Sequence, residues 1–199
     1  SPQTAVGEAP LRTSTATGTP QRPATAAYSS GIAVAPFAVG VGSGDPGPER
    51  VTLWTRLAAT DPGPFGSADE TVEWELASDP EFTEVLQAGT ASALAAHHHC
   101  VRVTVVALPP GLLYYRFTFR GAHSVVGRTR TTAQAIDGYR IAVMSCQHYE
   151  EGYFVAHRAL IQDQPDLVLH VGDYVYGRAG SLPIVRTQAV HDPRDLADY

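Results

Sequence analysis

Between Phe37 and Thr132 short runs rich in β-branched and aromatic residues alternate with turn clusters such as "SGDPGP". In "TVEWEL" the apolar Val72, Trp74 and Leu76 alternate with Glu73 and Glu75, the period of a strand with one buried and one wet face. Comparable runs are "FAVGV" with "RVTLWTRL", "EVLQAGTA", "CVRVTVVAL", "LLYYRFTFRG" and "SVVGRTRTT". Many short strands at this spacing predict an all-β, hairpin-rich sandwich over residues 35–133. Residues 1–34, mostly Ala, Thr, Pro and Ser with no apolar period, read as an extended or mobile arm.

At "DGYRIAVMSCQHYEEGYF" the grammar changes. "RIAVMSC" is an apolar run closed by Cys146, and "GYFVAHRALIQDQ" places Phe154, Val155, Leu160 and Ile161 at near-helical spacing before Pro165. "DLVLHVGD" is a second apolar run, closed by Gly172 and Asp173, with Tyr174 and Tyr176 following. Strand, helix, strand predicts a right-handed crossover unit and the start of a parallel sheet buried on both faces. The tail "SLPIVRTQAVHDPRDLADY" closes no such sheet, and two strands with one helix cannot cover it. The expectation is α+β overall, with residues 138–199 the first part of a second domain that continues elsewhere, on the same or a separate chain.

Composition narrows the function classes. A formal net charge of −6 gives no basic face for nucleic acid, and no run reaches the roughly 18 apolar residues of a membrane span. The sequence starts without a charged-then-apolar leader. Two cysteines, Cys100 and Cys146, allow one bridge at most, and they fall in different predicted domains, which disfavours that pairing.

The chemistry concentrates at the carboxyl ends of the two predicted parallel strands, where α/β sheets form their ligand crevice. Cys146 and Asp173 emerge at one edge, and Tyr176 follows within a turn of loop. A thiolate, a carboxylate and a phenolate at one point repel one another unless a cation holds them. The mixed soft and hard donors suggest a transition metal that Asp173 bridges to a harder ion, and a phenolate favours ferric iron. A multimetal site polarises phosphoryl oxygens and activates water, which points to phosphate-ester hydrolysis with Asp173 as the catalytic carboxylate.

Other signals have plainer readings. Of His97, His98 and His99 in "AAHHHC", at most two could share an ion on a strand, so the stretch reads as a solvated strand entry. His148, His157 and His170 read as structural, His170 as a neutral, hydrogen-bonded imidazole in a buried strand. "GVGSGDPG" lacks the Lys-Ser/Thr ending of a phosphate loop and reads as turn chemistry.

The segments "VGVGSGDPGPERVTLWTRL", "LPPGLLYYRFTFRGAHSVVGRTRT", "SCQHYEEGYFVAHRAL" and "DLVLHVGDYVYGR" together resemble the PhoD-like alkaline phosphatases and phosphodiesterases, a family that includes an actinobacterial phospholipase D. The resemblance runs from about Phe37 to Tyr199. It implies a fibronectin type III or immunoglobulin-like sandwich followed by the start of a calcineurin-like metallophosphoesterase domain, exported with a twin-arginine leader. It further implies that Cys146 and Tyr176 ligate Fe3+ and that Asp173 bridges it to Ca2+, other divalent metals being possible. Family ligands from later motifs have no counterpart in this sequence. The expected activity is hydrolysis of a phosphate ester. The alternatives are phospholipase D action on lipid head groups, for which the sequence shows no clear apolar rim, and a non-catalytic adhesion or carbohydrate-binding module, which would leave Cys146, Asp173 and Tyr176 idle.

Overall fold

The computed structural model describes residues 35–58, 66–132, 138–178, 180, 184–187, 192 and 194. The expected arm over residues 1–34 and most of the tail after Gly180 lie outside the described residues. In chain order the first part holds β1 (Val41–Gly47), β2 (Arg50–Arg56), β3 (Glu70–Ala77), β4 (Val85–Ala93), β5 (Cys100–Val105), β6 (Leu112–Phe119), β7 (Ala122–His123) and β8 (Gly127–Arg130). Two antiparallel sheets form, one in the order β1-β2-β5 and one in the order β4-β3-β6-β7 with β8 also on β6.

Alternation along the strands builds the core between these sheets. Val51 and Leu53 from β2 and Val101 and Val105 from β5 face Val72 and Leu76 from β3 and Leu113, Tyr115 and Phe117 from β6. Thr55, at the same inward phase, is fully buried and donates its hydroxyl proton to the Gly40 carbonyl at 2.9 Å, so its polar atom is satisfied. Close packing shapes β8 as well. A Cβ on Gly127 would stand 2.2 Å from the Tyr115 ring, so only glycine lets β8 lie against it.

Two expectations change here. "GVGSGDPG" is not a simple turn but strand β1, with its register to β2 shifting between Gly44 and Gly47; Asp45, at φ 45°, absorbs the bulge. His99 is not solvated. It is buried after a short 3-10 turn, Ala95–His97, and its Nε2 lies 2.9 Å from the Ala68 carbonyl oxygen. His97 and His98 are exposed, with His98 in a left-handed turn.

The second part is β9 (Ile141–Met144), α1 (Val155–Asp163) and β10 (Leu167–His170), with β9 and β10 parallel and in register from Ile141 opposite Leu167 to Met144 opposite His170. The helix is shorter than its apolar spacing suggests. Phe154 sits before it in a left-handed conformation, and Gln164 closes it in another, its N–H returning to the Ile161 carbonyl ahead of Pro165. The strands are not buried on both faces as expected: Val143 is 64% exposed, and Leu167, Val168 and Leu169 are also open, because among the described residues no second layer covers them. His170 is correspondingly only half-buried, and its Nε2 lacks the hydrogen bond expected of it.

Every described apolar side chain that is fully buried lies between Phe37 and Phe119. Each is worth about 1.5–3 kcal/mol, so the first part holds itself together, whereas the parallel pair depends on backbone pairing and docking. Asp166 supplies the docking. One carboxylate oxygen lies 3.7 Å from the Arg130 guanidinium of β8, and the other accepts the Arg140 N–H at 3.1 Å where β9 begins. The Asp166 N–H donates to the Arg140 carbonyl at 2.8 Å, and Arg128 donates to the Pro165 carbonyl at 3.2 Å. Both members of the Arg130–Asp166 pair are largely shielded from water, where removing one partner leaves an uncompensated charge. A cavity of 430 Å³, lined by Ser43, Pro46, Leu112, Arg128, Ile161 and Leu167 among others, separates the two parts beside this contact.

Asp166→Ala is expected to loosen the whole β9–β10 ladder, from its amino-terminal end through to its carboxyl end, without disturbing the sandwich. Hydrogen exchange should show the amides of Leu169, Val171 and Cys146 exchanging at least tenfold faster, about 1.4 kcal/mol of lost protection, while those of Leu53 and Val103 keep their rates.

Candidate metal centre

The pairing of β9 with β10 runs on past the last strand residues. Val171 N–H donates to Met144 O at 2.9 Å, Cys146 N–H to Gly172 O at 3.2 Å, and Gln147 N–H to Asp173 O at 3.1 Å. These bonds carry Cys146 and Asp173 side by side beyond the strand ends, the place that strand direction alone predicts for a ligand crevice. Cys146 at φ 59° and Asp173 at φ 54° both adopt the left-handed conformation, which disfavours a Cβ, and Gly172 at φ 134° makes the bend before Asp173. Two strained residues facing each other across one ladder mark a site where geometry takes precedence over local comfort.

The three donors converge on one atom. Cys146 Sγ lies 3.6 Å from Asp173 Oδ2, and Tyr176 Oη donates to the same oxygen at 3.1 Å. Cys146 and Asp173 are exposed and Tyr176 is half-buried, so the cluster stands at an open surface. The Tyr176 phenol is pushed up to about 12, first by partial loss of hydration and then by its hydrogen bonds to Asp173 and Cys146 and by their negative charge. With no cation the phenol therefore keeps its proton at neutral pH. Thiol and phenol both donate hydrogen bonds to one carboxylate oxygen, and a cation placed there would take over from those protons.

The donor set, one soft sulfur with two hard oxygens, would suit a transition metal. Among the described residues no group of three or more His, Cys, Asp or Glu side chains converges; the candidate cluster is two such residues and a tyrosine. The other sequence candidates lie elsewhere or act as supports. His157 Nε2 is 2.9 Å from Gln147 Oε1, fixing the helix against the loop after Cys146. His170 meets Tyr174 edge-on at 4.9 Å. Cys100 and Cys146 are both free thiols. Sequence reasoning missed Glu150 and Asp166: Glu150 is 3% exposed and accepts the Gly180 N–H, and nothing in its local pattern distinguishes it from Glu151.

The sequence pattern of the PhoD-like phosphatase N-terminal domain matches residues 22–133, and that of the PhoD-like phosphatase domain matches residues 141–199. The chain belongs to the PhoD-like phosphatase family. Alkaline phosphatase D of Bacillus subtilis (strain 168) is 39% identical over 149 residues, which cover 71% of this PhoD-like chain and 25% of that protein. A solved structure of PhoD superposes with a TM-score of 0.75 at 36% identity, covering 82% of this chain and 33% of that one. The PhoD-like chain thus spans about a quarter of the length of the curated relative it matches.

Loss of hydration, the largest cause, stays in place, so Asp173→Asn is expected to bring the Tyr176 phenol only part of the way down from about 12 toward the ordinary ~10, by removing the charge and hydrogen bond of the carboxylate. Alkaline titration of phenolate absorbance, compared with Tyr176→Phe to assign the shifted transition, reads the change directly.

Proposed function

We propose that this chain contributes to a secreted, metal-dependent phosphoric ester hydrolase of the alkaline phosphatase D and phosphodiesterase type. The observation that carries the reading is the convergence of Cys146 Sγ and Tyr176 Oη on the single oxygen Asp173 Oδ2. In this reading Cys146 and Tyr176 would hold Fe3+, and Asp173 would be shared between that iron and Ca2+ and would be the catalytic carboxylate. Bound there, the two cations supply the Lewis acidity for attack of water on a phosphate ester. The chain's own part is to keep the three donors aligned and to open the site to solvent, so that an anionic substrate can approach an otherwise acidic protein. Residues 35–133 would form a fibronectin type III or immunoglobulin-like sandwich, and residues 138–199 the first part of a calcineurin-like metallophosphoesterase domain. The remaining ligands would come from the carboxyl-terminal remainder of the same protein, in one chain or as a separate one, and export would follow the twin-arginine route.

One observation favours phospholipid head groups as substrate. Val171, Tyr174 and Val175 are each at least 60% exposed beside Asp173, an apolar rim that the sequence did not make evident. An interfacial enzyme uses such a rim to meet lipid. No helix among the described residues is long and apolar enough to cross a membrane. A non-catalytic adhesion module gives the thiol, carboxylate and phenol no work to do.

The test is hydrolysis by the full-length protein, carboxyl-terminal remainder included, loaded with iron and calcium. It is expected to cleave p-nitrophenyl phosphate or bis(p-nitrophenyl) phosphate, with Cys146→Ser and Asp173→Ala each losing at least about 100-fold, on the order of 3 kcal/mol of transition-state stabilisation. Faster turnover of phosphatidylcholine vesicles than of either soluble ester would select the lipid reading. Loaded protein that cleaves none of the three would contradict the proposal.

A further inference from the structure

Tyr176 stands at an open surface, yet its ring has a contact besides that of its hydroxyl. The His148 imidazole lies against it, ring centroids 4.5 Å apart and planes inclined by 44°. His148 is itself held in two ways. Its Nδ1 accepts the Glu150 N–H at 3.3 Å, which leaves the proton of the neutral ring on Nε2. Gly180 lies close by: a Cβ there would stand 3.1 Å from Glu151 Oε1 and 3.2 Å from His148 Cε1.

Gly180 is in turn tied down. Its N–H donates to the buried Glu150 carboxylate at 2.5 Å, and Val185 N–H donates to the Glu150 carbonyl at 2.8 Å. Tyr153 Oη donates to the Val185 carbonyl at 3.0 Å, and the Arg186 guanidinium lies 3.9 Å over the Tyr149 ring and 4.3 Å over Phe154. Gly180, Val185 and Arg186 are thus tied to the loop after Cys146, and the His148 imidazole of that loop rests on the phenol ring.

We propose that His148 is a positioning residue that aligns the Tyr176 phenol with Asp173 and Cys146, through the ring stack and the Glu150–Gly180 hydrogen bond. The inference rests on the metal reading of Cys146, Asp173 and Tyr176 and adds a residue that the sequence marked only as structural. Groups that orient a metal's ligands typically change affinity by about 10–100-fold when removed. A flat aromatic ring in place of the imidazole keeps the stack, whereas a methyl group does not.

The experiment titrates ferric iron into wild-type, His148→Ala and His148→Phe protein, following the phenolate charge-transfer band. His148→Ala is expected to bind iron at least tenfold more weakly with a displaced band, and His148→Phe to recover most of both. Wild-type affinity and an unmoved band in His148→Ala would overturn the proposal while leaving the metal reading intact. Should wild-type protein show no band, the metal reading fails, and the Tyr176 ring-proton shifts of the metal-free protein decide the positioning role. Ring-current displacement in wild type and His148→Phe, lost in His148→Ala, supports it; the same shifts in all three overturn it.

Discussion

The hydrogen-bond ladder between β9 and β10 is the constraint on which the rest depends. It is parallel, so both strands deliver their ends to one place, and it continues through Val171, Cys146 and Gln147 after the regular strands have stopped. A slip of one residue would turn every side chain to the opposite face and separate Cys146 from Asp173. The ladder has no buried apolar layer of its own among the described residues. Its register is secured at the far end by Asp166, which bonds the start of β9 and faces Arg130 of the sandwich. The sandwich therefore acts on the site at a distance: its core stabilises β8, β8 carries Arg130, and Arg130 seats the strand whose other end bears Asp173.

At the site the same economy appears in electrostatic form. Three groups that would repel one another as anions are placed around one oxygen, and two of them keep protons there. Loss of hydration at the half-buried Tyr176 raises its phenol first, and the proximity of Asp173 and Cys146 adds to that shift. Such a cluster is poised for a cation, since each donor gains when a positive charge replaces the shared protons. The left-handed backbone at Cys146 and Asp173 is the conformational cost of that proximity, offset by the ladder bonds that flank both residues.

Much of this was legible in the sequence, for physical reasons that differ by region. The alternation in "TVEWEL" and "LLYYRFTF" reports which face of a strand is dry, and both became core strands. The switch to strand, helix, strand after Arg140 located the parallel pair, and strand direction alone placed Cys146 and Asp173 together. What was not legible depends on partners far along the chain. His99 is buried because its ring meets the Ala68 carbonyl, 31 residues away, and Arg128 reaches Pro165 across 37. β1 was obscured because its Gly, Asp and Pro residues signal a turn, while pairing with β2 holds them as a bulged strand. Burial of the parallel strands was over-read, since an apolar run announces a surface that can be covered without supplying the cover.

The central claim is that the ladder assembles a sulfur, carboxylate and phenolate cluster to hold a metal, and iron-edge X-ray absorption on iron-loaded protein tests it most directly. The account predicts one sulfur scatterer among oxygen neighbours, with the sulfur shell absent in Cys146→Ser and the pre-existing fold unchanged. An iron shell of nitrogen and oxygen alone in the wild-type protein, indistinguishable from that of Cys146→Ser, would contradict it.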